Sequence, residues 1–123
     1  MIALAVALVL LAALATLQLL LVFGAPIGRF AWGGQHAVLP ARLRVGSVIS
    51  AVIYVAIALM LLSRMGVIGD GGTFVRVATW VIFGFFVLSI VMNAISRSRL
   101  ERLTMTPVAT ALALATLIIA LAD

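Results

Sequence analysis

The sequence predicts an all-α fold, a membrane-embedded four-helix bundle of two antiparallel helical hairpins. Three observations support it. Of the 123 residues, 67% are hydrophobic and only 9% are charged, whereas soluble domains carry about 25% charged residues. Four apolar stretches each approach the roughly 20 residues that a transmembrane helix needs. All eight basic residues are arginines, and they lie in or beside the connections between these stretches.

The chain is predicted to form a single integral membrane domain, residues 1–123, with spans at about 2–23, 42–63, 74–95 and 105–121. Span 1 ends at Gly24 followed by Pro26, a common helix stop. We interpret it as a retained span and not a signal peptide, because no base precedes Arg29 and the apolar run exceeds a signal peptide's roughly 7–15 residues. Pro40 suits the first turn of span 2.

The later connections carry their own signals. Glycines around Asp70 predict a tight turn between spans 2 and 3, here called loop 2. Thr106 and Pro107 suit the N-cap and first residue of span 4. A helix starting there rises only about 22 Å before Leu121, less than the roughly 30 Å of a hydrocarbon core. An earlier start near Leu103 therefore stays open.

The arginines predict an orientation. Loop 1 (residues 24–40) with the start of span 2, and loop 3 (residues 96–102), hold six arginines, whereas the loop 2 side holds Arg64 and Arg76. Because bases concentrate on the cytoplasmic side, loops 1 and 3 are predicted to be cytoplasmic and both termini to be outside. Bases beside membrane spans favour anionic lipid headgroups as partners over nucleic acid.

Loop 1 is the most unusual segment, because a plain connector needs no such mixture of glycines, aromatic residues and a base. One interpretation is that it folds back on the bundle and binds an anionic headgroup or a partner. The other is that it packs at the interface as a re-entrant loop without binding anything. The candidate binding residues of loops 1 and 3 and the start of span 2 are Arg29, Trp32, His36, Arg42, Arg44, Arg97 and Arg99.

Uncharged polar residues inside the spans form a second pattern, on the same predicted side of the membrane: Gln18, Ser50, Tyr54, Ser89 and Asn93. Since a polar group facing lipid is unfavourable, they should face inward. Hydrogen bonds that join the helices are the favoured interpretation. A shallow cavity beneath loop 1 is the alternative.

Few groups are available for catalysis or for binding a cofactor. The chain has one His and no Cys, so no metal or haem site is predicted, and no cofactor. Glu101 is expected to form surface ion pairs with Arg99 and Arg102. No ionisable residue lies in the middle of a span, which argues against an ion-coupled pump.

Two stretches of the chain carry a resemblance that covers nearly its whole length. They read GAPxG…WGG…LPxxLRxxS, from Gly24 to Ser47, and NxxSRSxxERxxMTP, from Asn93 to Pro107. In these motifs the chain resembles a widespread family of small bacterial membrane proteins without an assigned function. The resemblance implies four spans in a bacterial inner membrane, and it makes no residue catalytic.

We therefore predict a non-enzymatic inner-membrane protein, an accessory or interaction module. It would bind a lipid headgroup or a partner protein at its cytoplasmic face through loops 1 and 3. The alternative is a homo-oligomeric small transporter or channel with a polar path near Gln18, Tyr54 and Asn93. A larger membrane complex also stays open.

Overall fold

The computed structural model describes residues 1–122, and these form four long helices. They are α1 (Ile2–Val22), α2 (Ala41–Arg64), α3 (Thr73–Ala94) and α4 (Arg99–Leu121). Two single-turn 3-10 helices, Gly28–Phe30 and Trp32–Gly34, lie within loop 1. The predicted all-α four-helix fold is confirmed.

Each of the four helices is long and apolar enough to cross a membrane. By length and composition, the chain is thus a multi-pass membrane protein. Large apolar side chains cover the outside of the bundle, for example Val9, Val52, Phe74 and Val81. Such a surface suits lipid as its solvent, because hydrocarbon imposes no penalty on exposed apolar side chains.

The bundle has one main core, at the loop 2 end. Helix α1 packs mostly against α2 and α3 mostly against α4, while α1 also contacts α4. Alanines of α1 and α4 let the backbones approach closely, and Ala7 and Ala113 are buried here. The buried members of this core are Leu4, Ala7, Leu11, Ile57, Leu61, Ile82, Phe86, Leu112, Ala113, Ala115 and Ile119.

Helix α4 begins earlier than Thr106, so the prediction that Thr106 is its N-cap is wrong. Ser98 is the N-cap, and its hydroxyl accepts a hydrogen bond from the backbone N–H of Glu101. Pro107 lies inside the helix. The helix therefore has 23 residues, which correspond to about 34 Å, enough for a full span. The serine cap lies nine residues before the proline, and the helix continues through Pro107, which has no backbone N–H to donate.

Loop 1 folds back over the end of the bundle. Leu21, Ala31 and Leu39 form a second small core there. The backbone N–H of Gly28 donates to the carbonyl of Ala37 at 2.8 Å, which closes the loop on itself. Both 3-10 turns contact α4, so loop 1 connects the α1–α2 pair to α4.

Arg64 has a role that its position near loop 2 did not predict. Its side chain is buried, and its guanidinium donates to the carbonyls of Ala120, at 3.3 Å, and Ala122. The last carbonyls of a helix have no partner within the helix and carry partial negative charge. Arg64 therefore caps the C-terminus of α4.

Candidate functional site: an interior cavity and an arginine groove

At the loop 1 end the four helices and loop 1 line a partly open cavity of about 200 Å³, here called the interior cavity. It lies between the C-terminal halves of α1 and α3, the middle of α2 and the first half of α4. All five polar residues predicted inside the spans line it: Gln18, Ser50, Tyr54, Ser89 and Asn93. Apolar and aromatic side chains, including Phe85 and Phe86, form the rest of its wall.

These polar groups are not all used to join helices. The hydroxyl of Ser89 donates to the carbonyl of Phe85 in its own helix at 2.9 Å. The side-chain oxygen of Gln18 is buried and accepts no hydrogen bond from residues 1–122. The favoured interpretation, interhelical hydrogen bonding, therefore fails for Ser89. The Gln18 side chain does hydrogen-bond Tyr54 of α2, but its buried oxygen is left without a donor.

Trp32 covers the cavity from loop 1. Its indole N–H donates to the hydroxyl of Ser47 at 3.0 Å, and its ring lies against Gly46, where a Cβ would be 2.7 Å from the ring. Trp32 has a φ of 54°, a left-handed conformation that costs a non-glycine residue about 1–2 kcal/mol. The contacts of the indole with α2 offset this cost and hold the cover in place.

Glu101 corrects another expectation. Its side chain is 92% buried and lines the interior cavity, so it does not form the predicted surface ion pairs. Its neighbours have other contacts: Arg102 donates to the carbonyl of Ser96 at 3.0 Å, and Arg99 lines a different pocket.

The loop 3 serines explain why the Glu101 carboxylate is free. Ser98 to Glu101 reads as a capping box, in which the glutamate would accept a hydrogen bond from the serine N–H. Here that N–H donates instead to the hydroxyl of Ser96 at 3.1 Å. The backbone of Glu101 still joins the cap, but its carboxylate makes no hydrogen bond within residues 1–122 and is left to face the cavity.

A second site lies outside, where loops 1 and 3 meet. Arg29, Arg97 and Arg99 line a groove of about 440 Å³, here called the arginine groove. Arg29 also donates to the carbonyl of Gly34 at 2.8 Å, and the hydroxyl of Ser98 donates to the carbonyl of Arg29. The first bond braces loop 1 internally, and the second joins loop 1 to loop 3. The remaining lining residues are Gly33, Gly34, Gln35, Ser98 and Leu100.

The other predicted binding residues are not brought into either site. Arg44 donates to the carbonyl of Leu39 at 2.8 Å and lies beside Gly24, so it supports the fold of loop 1. The carbonyl of His36 lies against Gly28. Arg42 is exposed on the first turn of α2. Trp32 lines the interior cavity and not the groove.

Two residues at the loop 1 end of the bundle, Glu101 and Gly46, were not predicted from the sequence to contribute to the interior cavity or its cover. Glu101 was predicted to lie at the surface. Ser96 was a signal against this prediction, because its hydroxyl accepts the Ser98 N–H that would otherwise bind the Glu101 carboxylate. Gly46 gave no signal at all, because its importance comes from Trp32, fourteen positions away. Within the described residues, no group of three or more acidic or histidine side chains could hold a metal ion.

Comparison with protein-family models, with curated proteins and with solved structures finds no match for this chain.

Proposed function

We propose that this protein is a non-enzymatic membrane protein that binds an anionic lipid headgroup in the arginine groove. One observation carries the proposal: Arg29, Arg97 and Arg99, which come from two loops about 70 positions apart, line one groove. Guanidinium groups bind phosphate oxygens through paired hydrogen bonds. Three such groups around one groove match a phosphodiester headgroup.

The same observation separates the groove from ordinary basic surface. Arg42 is as exposed as Arg97 but stands outside the groove. Its lipid contacts would be those of any base near a headgroup layer. Headgroup selectivity should therefore depend on Arg29, Arg97 and Arg99, and not on total positive charge.

The experiment is native mass spectrometry of the protein released from nanodiscs that contain phosphatidylglycerol and phosphatidylcholine. We expect retained phosphatidylglycerol on the native protein and a loss of about tenfold in the Arg97→Ala, Arg99→Ala double variant. Arg42→Ala, Arg76→Ala is the matched control, because it removes the same charge from outside the groove. Equal retention by the two double variants would refute the proposal.

We further propose a cytoplasmic location for this face in a bacterial inner membrane, with both termini outside. The burial of Arg64 supports this orientation, because it leaves Arg76 as the exposed base on the loop 2 side. A reporter fused after residue 123 should be active only outside the cytoplasm. A cytoplasmic signal from that fusion would reverse the orientation.

Transport is the second candidate function, and the interior cavity favours it, because Gln18, Tyr54 and Asn93 share that cavity within a single chain. A path from there would have to cross the main core at the loop 2 end, where Leu11, Phe86 and Leu112 are buried. Because buried apolar side chains fill that core, we expect vesicles that contain the protein to show no flux of small polar solutes above that of empty vesicles. Measurable flux that Asn93→Leu abolishes would favour transport instead.

A further inference from the structure

We propose that the interior cavity is a binding site for a small organic ammonium group carried on an apolar body. The site is distinct from the arginine groove, and the proposal does not depend on headgroup binding there. It rests on the burial of Glu101, on the free polar atoms of the cavity and on the aromatic cover.

The charge of the cavity comes from one residue. Glu101 is the only acidic residue that lines it, and no Arg or His does, although the whole chain has a net charge of +5. Glu101 is 92% buried as a residue, and a carboxylate beside apolar walls is unfavourable without a compensating cation or hydrogen-bond donors. Since neither Arg99 nor Arg102 fills this role, a cationic ligand is the natural partner.

The other polar atoms of the cavity favour a ligand that donates hydrogen bonds as well as carrying a positive charge. The buried side-chain oxygen of Gln18 is without a donor in the described chain, and the amide of Asn93 and the hydroxyl of Ser50 line the same space. A primary ammonium group has three N–H donors. It could therefore satisfy the carboxylate of Glu101 and neutral acceptors around it, which a hydrophobic ligand could not do.

The aromatic residues specify the rest of the ligand. Phe30 and Trp32 from loop 1, with Tyr54 and Phe86 from the helices, surround the polar groups. Aromatic faces attract cations and also pack against apolar groups. The cavity, at about 200 Å³, is smaller than the roughly 300–1,000 Å³ of sites for drug-sized ligands, so the ligand must be small or must insert only its head.

The ammonium group has two possible sources, a free amine or the headgroup of an ethanolamine lipid. The first experiment uses phenethylammonium as the probe, with the protein in an uncharged maltoside detergent. A Trp80→Phe background leaves Trp32, which lines the cavity, as the only tryptophan. We expect saturable quenching or a spectral shift of Trp32 with phenethylammonium, and binding at least about tenfold weaker for phenethyl alcohol, which lacks the charge.

The key variant is Glu101→Gln, which keeps the shape and removes the charge. It should lower the affinity for phenethylammonium about tenfold or more, whereas Asp70→Asn, at an exposed acid of loop 2, should leave it unchanged. Ser50→Leu is a second variant that fills the cavity while Glu101 stays intact, and it should also abolish binding. Thr16→Leu, on the exposed surface of α1, is its control.

A lipid arm distinguishes the two sources. Native mass spectrometry of protein extracted from bilayers with phosphatidylethanolamine should show a retained lipid that phenethylammonium displaces if the source is a lipid. Probe binding without a retained lipid would identify a free amine, and both results support the proposal. It is overturned if phenethylammonium does not bind saturably, or if it binds Glu101→Gln as well as the native protein. Neither failure would affect the arginine groove.

Discussion

The arginine groove and the interior cavity share loop 1 as a wall, yet they have opposite chemistry. Arg29 and Gly34 line the groove, while Phe30 and Trp32, between them in sequence, line the cavity. Loop 3 is divided in the same way: Arg99 belongs to the groove and Glu101, two residues later, belongs to the cavity. The groove is basic, whereas the cavity has a single acidic residue among apolar and aromatic walls.

The difference shows how burial changes the effect of a charged side chain on ligand selectivity. Arginines at the surface are solvated and can exchange one anionic partner for another at small cost. Glu101 is 92% buried as a residue, and its carboxylate has no protein donor in residues 1–122, so its partner matters more. We therefore expect the groove to select a charge type and the cavity to select a particular small chemical group.

The largest effect should come from Gly28→Ala, which tests whether loop 1 is the common wall of both sites. A Cβ at Gly28 would lie 1.9 Å from the carbonyl oxygen of His36 and 2.8 Å from that of Ala37. Because both neighbours are backbone atoms, the loop must move. We expect a destabilisation of about 3 kcal/mol, measured by thermal unfolding in detergent, together with new proteolytic cleavage in loop 1.

Gly84→Ala is the control for that substitution, since a Cβ there meets nothing within 4 Å and Gly84 lies inside α3. It should be neutral or slightly stabilising. If Gly28→Ala kept both binding activities and the native protease resistance, loop 1 would not be the wall that unites the two sites.

Arg64→Met should have the next largest effect on stability, and it should not change the contrast between the arginine groove and the interior cavity. It removes the buried guanidinium that caps α4 at the far end of the bundle, so we expect a loss of about 2 kcal/mol. Binding to the groove and to the cavity should be retained below the lowered melting temperature. Arg76→Met, at an exposed base, should change stability by less than about 0.5 kcal/mol.

A double-mutant cycle of Trp32→Phe and Ser47→Ala tests the cover of the cavity alone. The two side chains share one hydrogen bond of 3.0 Å, so their coupling energy in thermal unfolding should be about 1 kcal/mol. Cavity binding, followed through Trp32, should weaken in Ser47→Ala, because the cover is less firmly held. An additive result, with no coupling, would mean that the bond does not hold loop 1 in place.

A change in salt concentration should have the smallest effect on binding affinity. It should also distinguish the arginine groove from the interior cavity most clearly. Raising the ionic strength from about 0.1 to 1 M shortens the screening length from about 10 to 3 Å. Headgroup binding at the exposed arginines of the groove should weaken several-fold, while phenethylammonium binding at the largely buried Glu101 should change by less than about twofold. Equal salt sensitivity of the two affinities would remove the proposed distinction between them.

The helix bounds show how much of the fold the local sequence determines. For α1, α2 and α3 the predicted bounds lie within one residue of the observed ones, because hydropathy, Gly24 and Pro40 act within a few residues. For α4 the apolar signal and Pro107 favoured a start that is too late. The true start depends on Ser98, whose short capping pattern does not appear in a hydropathy profile.

The candidate sites divide in the same way. The inward-facing polar residues could be predicted individually, since lipid excludes them, and all five line the interior cavity. That they surround a space, and do not simply join helices, depends on how far the helices separate. The arginines were recognised as a group, but selection of Arg29, Arg97 and Arg99 required loops 1 and 3 to meet.

The sequence by itself determined the four apolar helices, the concentration of arginines at one end and the unusual character of loop 1. These follow from local properties, namely side-chain hydropathy and the backbone limits of glycine and proline. The tertiary structure decided that Glu101 is buried, that Arg64 caps α4 and that Trp32 covers a cavity. Each of these depends on partners 15 to 58 positions away or on the rotation of a helix about its axis, which the order of residues along one helix does not set.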